Sequence, residues 1–299
     1  MPIDILRSDG DEPLRLRSDR SMQRIRRGAY VDRASFEALP EDARHEVWVR
    51  AVAAARPGAI FARESALALA QLPHGRPEAV FTIGDPGASG RRAGVVNAQS
   101  PVADVDVLIE DGIARCTPAA ALAQLARVGR QIDAVSALDA ALHRRIATKE
   151  EVTDALGRQG RRGQRRAEWV VAFADPLAES VGESFSRVQL HRLGAPVPLL
   201  QVRVQTRLGP RFPDFLWERP GRRPLGGEFD GAWKYGVIAD ANGVQPVDAV
   251  IREKRREDAL REHIDTLHWM WDHVMQPTRL GAMLAQAHIR VRATLLPGW

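Results

Sequence analysis

The segment Arg211 to Tyr235, RFPDFLWERPGRRPLGGEFDGAWKY, constrains this chain more than any other. Asp214 follows Pro213 and opens an apolar Phe-Leu-Trp run. After a turn of Arg, Pro and Gly, Glu228 and Asp230 stand two residues apart, with Lys234 close behind. Side chains alternate along a strand, so Glu228 and Asp230 project from one face. If the segments around Asp214 and Glu228 pair as a hairpin, three carboxylates converge near one edge of a sheet. Crowded like charges repel, and such a cluster is costly unless a cation, a lysine or a proton compensates it. Magnesium takes a few carboxylate oxygens and keeps its other positions for water and phosphate. The same acids also suit the edge of a short exposed hairpin whose turn uses the glycines. Their company favours a site. Among 43 basic residues the lysines are Lys149, Lys234 and Lys254; Lys234 follows Glu228-Phe-Asp230 and Lys254 follows Glu253.

With 299 residues, 44% of them apolar, the chain has material for two domains. Its net charge of +5 and pI near 10.0 come almost wholly from arginine. Arginine is a forked phosphate ligand, which points to nucleic acid; a biased genome composition gives the same excess. Cys116 is the single cysteine, which excludes an internal disulfide framework and a cysteine-rich zinc site and fits a reducing cytoplasm. A small buried hydrophobe is its expected role. No run approaches the roughly 20 apolar residues of a membrane span. Asp4, Arg7, Asp9, Asp11 and Glu12 interrupt any signal-peptide centre. The expectation is a cytoplasmic protein with no membrane partner. A glycine-flanked nucleophilic serine, a Walker motif and a dinucleotide fingerprint are all missing.

Residues 1–22 are charged and aperiodic and are expected to form a weakly ordered basic tail. Ile25 to Val31 suits a wing strand, with Gly28 in a turn and Arg24, Arg26 and Arg27 on phosphates; a basic edge strand has the same pattern. Helices are expected over Glu41 to Arg56 and Arg63 to Leu72. Strands follow at Ala79 to Gly84, Gly94 to Gln99 and Val102 to Asp111, with GDPGASGRR as a hairpin turn. Thr117-Pro118 opens a helix. Further helices span Ile132 to Arg145, Thr148 to Arg158 and Gln164 to Ala174, and Thr148 with Glu151 has capping-box spacing. The basic linker near Gly157 to Arg166 offers Arg161, Arg162 and Arg165 as a phosphate-tracking patch or a solvated helix start.

RRGAYV, ESALALAQLP, the strand set, RCTPAAALAQLA and ALDAALHRRIATKEEV together resemble the AbiEi-type antitoxins, over residues 23–174. The resemblance implies a winged helix followed by a larger regulatory domain, and a repressor of a toxin operon. Its partners would be double-stranded operator DNA and a cognate toxin. The helices that precede a wing have little chain to occupy ahead of Arg24, so the winged helix is read as a remnant.

From Asp175-Pro176 a second domain, 175–299, begins. Leu177 to Leu193 reads as a helix with Glu179 and Glu183 on one face, a spacing at which like charges disfavour a helix by a few tenths of a kcal/mol. A half-buried strand is expected from Leu200, turned by Gly209-Pro210 into a strand from Arg211 to Trp217. Asp248 to His263 should form a charged helix with Glu253 or Lys254 turned inward. Trp269, Met270 and Trp271 suit a buried strand, and Pro277 to Ala287 a final helix. His263, His268 and His273 recur every five residues, which matches neither one helical face nor a zinc motif.

The run Glu179-Ser-Val-Gly-Glu183-Ser, LHRLGAPVPLLQ, Pro213-Asp214-Phe-Leu-Trp, Glu228-Phe-Asp-Gly, Lys234-Tyr and Glu253-Lys-Arg-Arg-Glu-Asp resembles the Vsr-like branch of the PD-(D/E)XK endonucleases. The resemblance implies that Glu183 (or Glu179), Asp214 and Glu228 bind magnesium or manganese. Asp230 stands where that pattern has lysine, and Lys234 or Lys254 would supply the cation. The fold class expected is α/β (α+β): a remnant winged helix with a mixed regulatory region, then a restriction-endonuclease-like mixed β-sheet flanked by helices. The expected function is a DNA-associated, antitoxin-like transcriptional regulator carrying that domain. The alternatives are an active magnesium-dependent DNA endonuclease and a non-catalytic scaffold in a defence module.

Overall fold

The computed structural model describes residues 3–7, 16, 19–84, 90–98, 102–231 and 247–299, with backbone alone for 247–253. Lys234 and the side chain of Glu253 therefore lie outside the described residues. The chain divides into two compact units, Met1–Ala174 and Asp175–Trp299. Both are built of mixed sheets and helices, an α+β fold. Among the described residues no helix is long and apolar enough to cross a membrane.

The first unit opens with a three-stranded antiparallel sheet, β1 (Leu6–Arg7), β2 (Met22–Arg26) and β3 (Ala29–Asp32), in the order β1-β3-β2. Leu6 and Arg7 pair with Tyr30 and Ala29. Ile3 and Ile5 pack on Val31, Phe36 and Val47, so this part of the expected tail is held by its isoleucines. Gly28, with φ +76°, allows the tight turn between β2 and β3. Asp32 caps α1 (Arg33–Glu37), and α2 (Glu41–Ala55) ends before Pro57.

A six-stranded sheet follows, in the order β6-β7-β5-β4-β9-β8. Its strands are β4 (Ile60–Phe61), β5 (Val80–Ile83), β6 (Gly90–Arg92), β7 (Val95–Ala98), β8 (Val107–Glu110) and β9 (Ile113–Cys116). Because β5 and β7 are parallel, the glycine-rich segment is not the hairpin turn between them. The tight turn is Ala93-Gly94, joining antiparallel β6 and β7. The strand expected from Val102 starts only at Val107. Asp106 is buried there and bridged by Arg158 at 2.6 Å, which bends the preceding residues into a short 3-10 turn. Around the sheet lie α3 (Arg63–Leu69), α4 (Pro118–Val128), α5 (Gln131–His143), α6 (Lys149–Arg158) and α7 (Gln164–Phe173). Thr117 caps α4, and Thr148 and Glu151 form the capping box of α6. Cys116 is buried, and burial pushes its thiol up to about 11.

The second unit carries α8 (Val181–Arg192), β10 (Leu199–Leu200), β11 (Val204–Thr206), β12 (Gly209–Arg211), β13 (Phe215–Trp217), β14 (Leu225–Phe229), α9 (Val247–Arg261), β15 (Asp265–Trp269), α10 (Trp271–Met275) and α11 (Pro277–Gln286). Its main sheet has the order β10-β13-β14-β15. The first two pairings are antiparallel, and β14 and β15 are parallel. A parallel pair needs a crossover, which includes α9. Helices α8, α10 and α11 share a core with the sheet through Leu190, Phe215, Trp217, Trp269, Leu280 and Leu284.

Three expectations change here. Ser180 caps α8, accepting from Glu183 N at 3.2 Å, so the helix starts at Val181 and Glu179 lies outside it. The strand expected from Leu200 breaks at Gln201, with φ +50°, and β11 and β12 form a separate hairpin. Trp269 ends β15 and is buried, whereas Met270 is exposed and Trp271 starts α10.

Candidate functional site

Glu183, Asp214 and Glu228 lie where α8, β13 and β14 adjoin. Asp214 stands just ahead of β13, whose Phe215 pairs with Gly227 of β14. Its Oδ2 accepts the Phe229 N–H at 2.9 Å, and its Oδ1 accepts from Gln201 Nε2 at 3.4 Å. Burial pushes the Asp214 carboxyl up to about 7, and the nearby charges of Glu183 and Glu228 add to the rise; the two hydrogen bonds oppose it. Three acids that the sequence separates by up to 45 positions therefore act on one proton.

Glu183 arrives through a close approach of backbone to ring. A Cβ on Gly182 would lie 1.9 Å from Phe229 Cε1, so only glycine lets the start of α8 reach the end of β14. Ser186 fixes the contact one turn on, donating to Gly182 O and accepting from Trp269 Nε1, both at 2.8 Å. Glu183 itself is buried, and its Oε2 accepts the Glu179 N–H at 2.9 Å. Glu179 thus contributes backbone rather than carboxylate to these contacts, and its side chain is exposed. The sheet tolerates two bulky indoles for a similar reason, since a Cβ on Gly227 would stand 2.5 Å from Trp269 Cη2.

Glu228 and Asp230 do share a face, and both meet His268. Glu228 pairs in register with His268 on β15. His268 Nδ1 lies 3.1 Å from Asp230 Oδ2 and 3.8 Å from Glu228 Oε2, and its Nε2 lies 3.4 Å from Glu257 Oε1. Asp230 is held as well through its N–H to Trp269 O at 2.8 Å. The five-residue histidine recurrence hides this contact, because His263 lies in a turn, His268 on β15 and His273 on α10. His268 carries no motif signal; strand register alone brings it to the acids.

Lys254 is exposed on α9. Among the described residues no three His, Cys, Asp or Glu side chains stand as a formed metal-ligand group. The acids are coupled through their charges, without being drawn onto one point.

In the first unit, Arg24 and Arg27 are exposed on the β2–β3 hairpin, and Arg24 Nε donates to Arg26 O at 3.2 Å. Arg26 is half-buried, and its Nε and Nη1 are shielded without a hydrogen-bond partner. Burial and the charge of Arg56 both lower its pKa. Arg161, Arg162 and Arg165 are exposed around the turn into α7, where Arg162 O accepts from Arg127 Nε at 2.8 Å.

The chain matches no protein-family model and no solved structure. It is similar to two uncharacterized proteins of Mycobacterium tuberculosis, MT2308 of strain CDC 1551 / Oshkosh and Rv2248 of strain H37Rv. Each is 32% identical over 184 residues, covering 58% of this chain and 62% of the relative, so the chain spans under two thirds of their length.

Proposed function

We propose that the second unit is a divalent-metal-dependent DNA endonuclease domain, carried by a DNA-associated, antitoxin-like regulator. The observation that carries this reading is the buried Asp214 carboxyl, held by the Phe229 N–H and Gln201 and pushed up to about 7 by burial and by the charges of Glu183 and Glu228. Acids set this near a buried carboxyl favour a proton or a hard divalent cation, and carboxylate oxygens are the donors that magnesium and manganese take. Asp214, Glu183 and Glu228 would hold the ion. Bound there, it would polarise a phosphoryl oxygen and acidify its water. The chain's own part is orientation. Phe229 N–H and Gln201 fix the Asp214 carboxylate, and Glu179 N–H fixes that of Glu183. Lys234 and Lys254 remain proposed cations for the phosphate.

The test is nicking of supercoiled plasmid in magnesium or manganese by the wild type, Asp214→Ala and Glu228→Ala. Nicking that both substitutions abolish supports the reading. A wild type that binds DNA yet never cuts, manganese included, overturns it.

A second reading, DNA binding without cleavage, draws on Arg24 and Arg27, whose guanidinium groups are exposed on the β2–β3 hairpin where a backbone phosphate can reach them.

A further inference from the structure

The β11–β12 hairpin of the second unit has one packed side and one open side. Val202 and Val204 pack on Leu216, Leu260 and Ile264, and Thr206 is buried. Arg203, Gln205 and Arg207, which alternate with them, are all exposed. The tip is fixed by Thr206, whose Oγ1 donates to Gly209 O at 2.7 Å and accepts the Leu208 N–H at 3.2 Å. Pro210, which pairs with Gln205, has no N–H to offer a further strand, and the ribbon stays two-stranded. From Ser184 to Pro213 the sequence contains no aspartate or glutamate, so this ribbon carries only positive charge of its own.

We propose that the open side of this ribbon docks in the major groove of duplex DNA, with Arg203 and Arg207 on backbone phosphates and Gln205 facing the base edges. The proposal rests on the reading of the protein as DNA-associated, and it is independent of cleavage. A two-stranded ribbon fits the major groove, which is roughly 12 Å wide. Residues 203 and 207 stand at most about 13 Å apart at roughly 3.3 Å per residue, and Gln205 lies midway between them. Forked guanidinium groups take phosphate oxygens, and an amide presents both a donor and an acceptor to a base. The contacts these side chains make within the protein are on the surface and readily exchanged. Arg203 Nη2 donates to Gln205 Oε1 at 3.0 Å, and Gln205 Nε2 donates to Thr206 O at 3.3 Å. Arg207 meets Glu262 at 2.8 Å with both side chains exposed, a pairing that water and salt weaken.

The experiment measures binding of the full chain to a labelled random-sequence duplex by fluorescence anisotropy, in EDTA and over a salt series. Thermal melts monitor folding. Arg203→Ala combined with Arg207→Ala should lower the slope of log affinity against log salt by about 1.8, at about 0.9 for each phosphate contact. Arg279→Ala combined with Arg290→Ala removes the same charge from two exposed arginines outside the ribbon and should leave the slope unchanged. If the ribbon alanine pair does not fold, Arg203→Gln with Arg207→Gln keeps the aliphatic stems and takes its place. Gln205→Ala should keep the salt slope but, in selection from the random pool, lose about fivefold or more of the preference at one base position. Base preferences that Gln205→Ala leaves intact overturn the groove assignment. Equal loss of slope in the two arginine pairs overturns the proposal. If the wild type binds DNA with a slope that the ribbon pair does not move, the DNA-associated reading stands and the proposal fails. The ribbon, with Leu208 and Phe212 exposed beside it, is then a protein-facing surface. A wild type with no affinity for DNA at any salt overturns both.

Discussion

The amide N–H of Phe229 donates to Oδ2 of Asp214 at 2.9 Å, tying the end of one strand to the acid that precedes its neighbour. The same Phe229 ring rests where a Cβ on Gly182 would be, so one residue sets the position of two of the three carboxylates. Several outcomes depend on that arrangement.

Gly182→Ala should overpack the contact with Phe229, since its Cβ would lie 1.9 Å from Cε1. The cost should be about 1–3 kcal/mol, and nicking should fall as Glu183 moves away from Asp214. Urea unfolding of Gly182→Ala, Phe229→Leu and the double variant checks this. The smaller leucine at position 229 should recover part of the loss, and simple additivity of the two substitutions would exclude the contact as the cause.

Asp214 makes the second unit sensitive to alkali when no divalent ion is present. Its folded-state carboxyl lies at about 7, above the ordinary 3.8. The native state therefore holds a proton that the unfolded chain has released. Stability from this proton is fully present below pH 3.8 and declines as pH rises through 7. Each unit of displacement is worth about 1.4 kcal/mol. Urea midpoints in EDTA should be higher at pH 5 than at pH 8, and Asp214→Asn should flatten the difference.

His45 gives the first unit the opposite slope. Burial, with the nearby His74 charge adding to it, pushes the imidazole down to about 3 from 6.5. The ring contacts Ser65 Oγ at 3.2 Å, and Ser65 Oγ accepts the Phe81 N–H at 2.8 Å. The stability tied to neutral His45 is present above pH 6.5 and is lost as pH falls towards 3. His45→Gln should weaken that acid dependence, read as thermal midpoints between pH 7 and pH 4.5.

How much of this could be read beforehand varies with the range of the contact. Caps were legible, because Thr148 and Glu151 sit three residues apart and local hydrogen bonds need nothing else. The pairing of the Asp214 and Glu228 segments was legible too, since a short turn with Pro and Gly leaves few alternatives. The start of α8 was misread because Glu179 and Glu183 have helical spacing, while the capping serine between them decides the boundary. His268 was invisible for a different reason. Its partner is set by a parallel register across a crossover, and no local pattern encodes that register. Gly182 sits inside the Glu179 to Ser184 motif, yet nothing local marks it as obligatory, since the ring that demands a glycine is far along the chain.

Ser186→Ala should leave the Trp269 indole N–H unpaired in the core, because Ser186 Oγ is its acceptor at 2.8 Å. The expected loss is about 1–3 kcal/mol. Equilibrium unfolding measures it, and a Trp269→Phe variant should make the serine substitution nearly neutral.

Arg24→Ala, Arg26→Ala and Arg27→Ala, combined, should weaken DNA binding uniformly across sequences. The logarithmic dependence of affinity on salt should flatten by about 0.9 for each phosphate contact removed. Fluorescence anisotropy over a salt series reads both quantities, and an unchanged slope would remove this hairpin from the interface.

The parallel pairing of β14 with β15 also dictates an order of assembly. Residues 214 and 228 belong to one hairpin and can meet by closing a short loop. Residue 268 reaches them only after the whole crossover has closed, a costlier and slower event. Contact order therefore favours closure of the hairpin, with Asp214 and Glu228, ahead of docking of the strand that carries the imidazole.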